Sequence, residues 1–157
     1  MDWPRSEIMN IAIHIPTYTR DHDTFPIPLQ HDYGYWVSLV ENFLAKSNAI
    51  EIHCWHEENE IIEEIASLHP QAFQMSKEEN LTIFKGNTTS LLAEYLLHYF
   101  KSANGNFKWF TVNLINDNET RFHSGHWGTE FFIPNVLEEE VRWIKGIIPE
   151  DTSLLQF

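Results

Sequence analysis

The chain carries nine histidines, and two short stretches set them beside other reactive groups: Asp21-His22-Asp23 and His53-Cys54-Trp55-His56-Glu57. Imidazole and carboxylate are the groups a divalent metal takes as ligands, and they are also the usual general acids and bases. The chemistry they suggest is metal-dependent hydrolysis. His22, Asp23, His56 and Glu57 would be the working set, with His22 and His56 as metal ligands and His14 or His53 in support.

The spacing of these residues argues against that chemistry. His53-Cys54-Trp55-His56 lacks the paired thiols of a structural zinc site, and His123-Ser124-Gly125-His126 has no downstream partner pair. No His-Glu-x-x-His, Gly-x-Ser-x-Gly or phosphate-loop pattern occurs, and no cofactor is implied. The competing reading leaves the histidines solvated or bonded to nearby backbone. Cys54 shares strand parity with Ile50 and Ile52, which points it into the core as an inert small hydrophobe rather than a nucleophile. Gly86-Asn87-Thr88-Thr89 opens a helix, but one glycine without a following basic residue reads as a cap, not an anion site.

The acidic groups give a sharper pattern. Glu57, Glu58, Glu60, Glu63 and Glu64 crowd one helix, and Glu57, Glu60 and Glu64 fall on one face of it. Like charges at i,i+3 and i,i+4 cost stability when no basic residue offsets them, so this run has the form of an electrostatic docking face. Glu138, Glu139 and Glu140, by contrast, sit where a helix dipole favours carboxylates. Tyr33, Tyr35 and Trp36 lie close to a proline-containing loop and would complete a binding surface of aromatic and acidic residues. The alternative is that these rings cover a helix–sheet interface.

Behind these groups stand elements legible from periodicity. Residues 8–15 alternate as a strand closed by Pro16, and residues 17–33 form a long polar loop. Residues 34–47 have helical spacing, 50–55 alternate, 57–68 are helical and 81–85 form a third strand. Leu91, Leu92, Tyr95, Leu96, Tyr99 and Phe100 mark a third helix, ended by Asn104-Gly105. Residues 107–115 and 127–133 are expected to pair as a hairpin. A last helix should start at Asn135, with Glu138 completing a capping box.

The order β-α-β-α-β-α-β-β-α predicts a single α/β domain over 1–157, with a parallel or mixed sheet flanked by helices and a late hairpin; the alternative is an α+β fold with an antiparallel sheet. In the parallel case, the strand ends would gather Asp21, His22 and Asp23 with Cys54, His56 and Glu57, and with Asn87, Thr88 and Thr89.

Composition narrows the function classes. With 23 acidic against 10 basic side chains the formal charge is −13, which opposes polyanions and attracts cations and basic proteins. Nucleic-acid binding is not expected, because no basic stripe exists to neutralise phosphates. The longest nearly apolar run is far too short to span a bilayer, and the N-terminal residues lack signal-peptide character, so a cytoplasmic location without membrane contact is expected. A single cysteine excludes an intramolecular disulfide.

In charge, size and lack of a catalytic motif the chain is similar to the small acidic inhibitors that include immunity proteins, which neutralise basic toxins. The expected function is therefore a non-catalytic acidic binding protein, of the immunity or antitoxin inhibitor type, that docks a basic protein partner through Glu57, Glu60, Glu64, Tyr33, Tyr35 and Trp36. The alternative is the metal-dependent hydrolase. Self-association through Phe131, Phe132 and the tail residues Leu154, Leu155 and Phe157 is a third option.

Overall fold

In the computed structural model, which describes residues 8–20, 25–30, 32–68 and 72–157, an eight-stranded sheet is antiparallel at every pairing. The elements run β1 (Ile8–His14), β2 (Thr17–Tyr18), β3 (Ile27–Pro28), α1 (Gly34–Leu44), β4 (Ala49–Trp55), α2 (Asn59–Ala66) and β5 (Gln74–Glu78). They continue with β6 (Leu81–Asn87), α3 (Ser90–His98), β7 (Thr111–Asn116), β8 (Glu119–Gly125), β9 (Glu130–Leu137), α4 (Glu138–Ile147) and β10 (Ser153–Gln156). Across the sheet the order is β10-β1-β9-β8-β7-β4-β6-β5, and β2 and β3 form a small separate ribbon within the 17–33 loop.

The antiparallel sheet overturns the parallel or mixed α/β arrangement and agrees with the α+β alternative. The cause is three strands with little apolar signature. β5 is exposed at every residue, so no alternation marks it, yet its presence between α2 and β6 makes β6 run opposite to β4. β8 supplies a strand where a hairpin connection was expected, turning the late hairpin into the meander β7-β8-β9. β10 pairs the tail with β1. The last helix also starts later than Asn135. Asn135, at φ 55, bends β9, and Glu140 rather than Glu138 accepts the capping hydrogen bond, from the Leu137 amide at 3.4 Å.

Local chemistry explains the elements that periodicity located. The Asp32 carboxylate accepts the Gly34 N–H at 2.8 Å and opens α1, while Thr89 Oγ1 accepts the Leu92 N–H at 3.3 Å and caps α3. Asp117 and Asn118, at φ 50 and 67, make the tight β7–β8 turn, since both central residues of such a turn need positive φ and Asp and Asn tolerate it. Asn48 holds that turn with both ends of its amide, donating to the Asp117 carboxylate and accepting the Asp117 N–H.

Strand alternation divides the sheet into two faces. Ile11, Ile13, Ile50, Ile52, Cys54, Phe84, Val112, Leu114, Phe122, Phe131 and Ile133 point one way and are buried against Trp36, Leu39 and Phe43 of α1, Ile65 of α2, Leu92 and Leu96 of α3, and Val141 and Ile144 of α4. The opposite face is polar and partly open. Among the described residues, no helix is long and apolar enough to cross a membrane.

Candidate functional site

Helix α2 forms an acidic ridge between two open grooves. Ile65 is its fully buried side chain, Ile61 and Ile62 are partly buried against the core beside it, and Asn59, Glu60, Glu63, Glu64 and Ala66 face solvent. On one side Glu57, Glu58 and Glu60 border a cleft of about 710 Å³ whose apolar surface comes from Phe25, Ile61 and Phe107. On the other side Leu68, Leu91 and Tyr99 line a groove of about 350 Å³ with Glu64 and Glu94. Among the described residues, Glu57, Glu60 and Glu63 are exposed and make no ion pair.

The structure thus separates carboxylates that the sequence grouped. Glu64 faces away from the Glu57 and Glu60 cleft, and its Oε2 accepts from Lys108 Nζ at 2.7 Å and from the Tyr95 hydroxyl at 2.6 Å. Lys108 is buried, so Glu64 serves as its counter-charge and is already committed within the molecule. Glu58 is also occupied, accepting the Trp55 N–H at 2.9 Å and the Trp127 indole N–H at 3.2 Å. Burial pushes its carboxyl above the usual range, against these two hydrogen bonds.

The three aromatics next to the loop are not a surface. Tyr33, Tyr35 and Trp36 are buried at 3, 4 and 0% exposure. The Tyr35 hydroxyl donates to the Gly128 carbonyl at 2.6 Å, and the Trp36 indole donates to the Leu96 carbonyl at 2.9 Å. They tie α1 to the sheet and to α3, which is the interface role weighed against docking above. The exposed aromatic beside the acidic ridge is instead Tyr99, at 56% exposure and stacked on Tyr95. Its i+4 spacing from Tyr95 was visible, but the gap between α2 and α3 that exposes it was not.

The proposed histidine set does not assemble among the described residues. His22 and Asp23 lie outside them. The His56 ring bonds Thr82 Oγ1 at 3.1 Å through Nδ1 and donates from Nε2 to the Glu79 carbonyl at 2.8 Å, which ties the end of β4 to the β5–β6 hairpin. Asn87, Thr88 and Thr89 sit at the opposite end of the sheet from His56, because β6 runs against β4. Among the described residues, no group of three or more His, Cys, Asp or Glu is placed to hold a metal ion. Cys54 is fully buried, and burial, with Glu58 adding to it, pushes its thiol up to about 12.

A different histidine cluster, missed from the sequence, lies on the polar face of the sheet. The register Lys85↔Glu51↔Asn113↔His123↔Phe132↔Ala12↔Leu155 runs across seven strands, and His53, Thr111, Gly125, Glu130, His14 and Ser153 make the row beside it. His53 bonds Glu51, which holds that carboxyl below its usual range. His123 Nδ1 lies 2.6 Å from Asn113 Oδ1. Glu130 is flanked by His14 Nε2 at 3.3 Å and His126 Nδ1 at 2.7 Å. The alternation of Glu51 and His53 with buried Ile50, Ile52 and Cys54 gave the facing; the strand order that joins β4, β7, β8, β9 and β1 was not readable.

Comparison of the chain with protein-family models, with curated proteins and with solved structures finds no match.

Proposed function

We propose that this protein is a non-catalytic acidic binding protein that docks a basic protein partner on the α2 ridge, in the manner of an immunity-type inhibitor. The observation that carries the reading is Glu57 and Glu60, exposed and without ion pairs among the described residues, beside a cleft with an apolar surface. Glu57 precedes α2 and Glu60 stands three residues from Glu63 within it, and a partner's lysines and arginines would neutralise this uncompensated charge on binding. Apolar contacts at Phe25, Ile61 and Tyr99 would supply the desolvated centre that a charged rim alone lacks. Glu64 supports the ridge indirectly by holding Lys108, and Tyr33, Tyr35 and Trp36 support it through the core. The reading places the protein in the cytoplasm, without nucleic-acid or membrane contacts and without a cofactor.

The test is affinity capture from the native host at low salt with wild-type protein and with Glu57→Gln/Glu60→Gln. Wild type is expected to retain a protein of net positive charge, with an association rate that falls steeply as salt rises, and the double variant is expected to lose it. Capture of an acidic partner, or equal retention by both proteins, would overturn the assignment.

A further inference from the structure

We propose that the groove over β1, β8, β9 and β10 on the helix-free face of the sheet binds an alkyl chain ending in a cation, of the lysine or arginine side-chain type. This site is separate from the α2 ridge and does not rest on it. The groove, about 390 Å³, has an apolar part formed by Ala12, Phe132 and Leu155 and a polar part formed by His14, His123 and Glu130.

The polar part is equipped to accept hydrogen bonds. Asn113 Oδ1 is an acceptor only, so the short contact from His123 Nδ1 fixes the proton on that nitrogen and leaves a lone pair on Nε2. Burial first, and the neighbouring His53 second, hold the imidazole below its ordinary value, which keeps it neutral at pH 7. Asn113 is in turn anchored, its Nδ2 donating to Glu51 Oε1 at 3.5 Å. The ring also needs Gly125: a Cβ there would stand 3.1 Å from Nε2, so glycine leaves the nitrogen clear on the side of Glu130.

Glu130 supplies the charge. His14 and His126 each engage one of its two oxygens, and every carboxylate oxygen has a second lone pair. Those contacts orient the carboxylate without filling it. Among the described residues, no lysine or arginine lines the groove to neutralise it. A ligand must then bring donors and positive charge to Glu130 and His123, and methylenes to Phe132 and Leu155. A long basic side chain carries both on one stem. An anion would meet a carboxylate and a lone pair, and a neutral alcohol would lack the charge.

Titration of isotopically labelled protein with n-hexylammonium, n-hexanol, hexanoate and a capped tripeptide with a central lysine tests this, read by backbone amide and imidazole nitrogen shifts. The ammonium should give saturable shifts at Gly125, Phe132 and Leu155 and at His123 Nε2. The alcohol should bind at least about tenfold more weakly, the loss of one charge-assisted contact, and hexanoate should not saturate. Saturation by the tripeptide at lower concentration than hexylammonium would identify a protein side chain as the ligand's source; the reverse would identify a free amine. Glu130→Gln and Leu155→Ser, both at the surface, should each weaken the ammonium, while Glu57→Gln/Glu60→Gln should leave it unchanged. Shifts that stay linear with ammonium concentration, equal binding of hexanoate, or unaltered affinity in Glu130→Gln would overturn the proposal.

Discussion

Replacing Glu64 with glutamine should unfold the protein several degrees early, although the residue sits on an exposed acidic helix. Its Oε2 lies 2.7 Å from Lys108 Nζ, whose side chain is 7% exposed against 43% for Glu64. At that distance the attraction is about 6 kcal/mol for an effective dielectric constant of about 20. Most of it offsets the desolvation of the ammonium, and removing one partner of a fully buried pair costs about 3–5 kcal/mol. Water reaching the pair past the exposed Glu64 lowers that to about 2 kcal/mol, because screening weakens the interaction being lost. For a chain of this size about 2 kcal/mol corresponds to a fall in Tm of about 4–8 °C.

Thermal and urea unfolding followed by circular dichroism measures the loss, with an unchanged denaturant slope confirming that the native state is intact. Lys108→Met/Glu64→Gln should recover to within about 1 kcal/mol of wild type, since a buried pair replaced by apolar and neutral groups is often close to neutral. Glu57→Gln/Glu60→Gln should stay within about 0.5 kcal/mol of wild type, since Glu57 precedes α2 and the helix dipole offsets the repulsion between Glu60 and Glu63. A Glu64→Gln variant within about 0.5 kcal/mol of wild type would refute the reasoning and return Glu64 to the docking surface.

Other expected outcomes follow from the same structure. Gly86→Ala should destabilise by more than about 2 kcal/mol, measured by urea unfolding, because its Cβ would lie 2.1 Å from the Ala72 carbonyl oxygen and backbone has to move. Thr89→Ala should cost about 1 kcal/mol through loss of the α3 cap, seen in the same assay. Native Cys54 should resist a thiol-specific reagent at pH 8 and react fully on unfolding, since the thiol is buried and its pKa stands at about 12. His123 has a lowered pKa in the folded protein, so the unfolded chain binds its proton first as pH falls. Its contribution is complete above the ordinary histidine value of about 6.5 and declines as pH drops from there toward the folded value. Melting curves between pH 8 and 5 should therefore show a steeper acid loss for wild type than for His123→Gln.

How far the sequence reaches into this fold depends on whether an element advertises an apolar period. α1, β4, α2 and β6 do, and their observed spans agree with those expected from spacing to within a few residues, whereas α3 starts as expected but ends at His98, before Tyr99, Phe100 and the expected stop at Asn104-Gly105. β5, with Gln74, Ser76, Lys77 and Glu78 in open solvent, advertises nothing, and missing it reversed the expected direction of β6 and with it the sheet type. The same error misplaced the site. Parallel strands would gather His56 with Thr88 at one edge, whereas antiparallel pairing sends them apart and brings together residues from five strands on a face instead. Cys54 was read correctly because parity is a local property. Tyr35 and Trp36 were not resolved between surface and interface, since their burial depends on α3 and the β8–β9 turn, distant partners that no local pattern names.

The light seating of α2 separates two selective pressures. Ile65, with Ile61 and Ile62 partly buried beside it, seats the helix and Glu64 holds Lys108, whereas the remaining outward residues exchange with little effect on the framework. Charge and shape along that ridge are then free to drift in step with whatever they meet, while the sheet beneath is constrained only by its own packing. Rapid divergence would concentrate on the outward positions of this helix other than Glu64, and chimaeras that exchange those positions between divergent versions of the protein while keeping Glu64 should exchange recognition without exchanging stability.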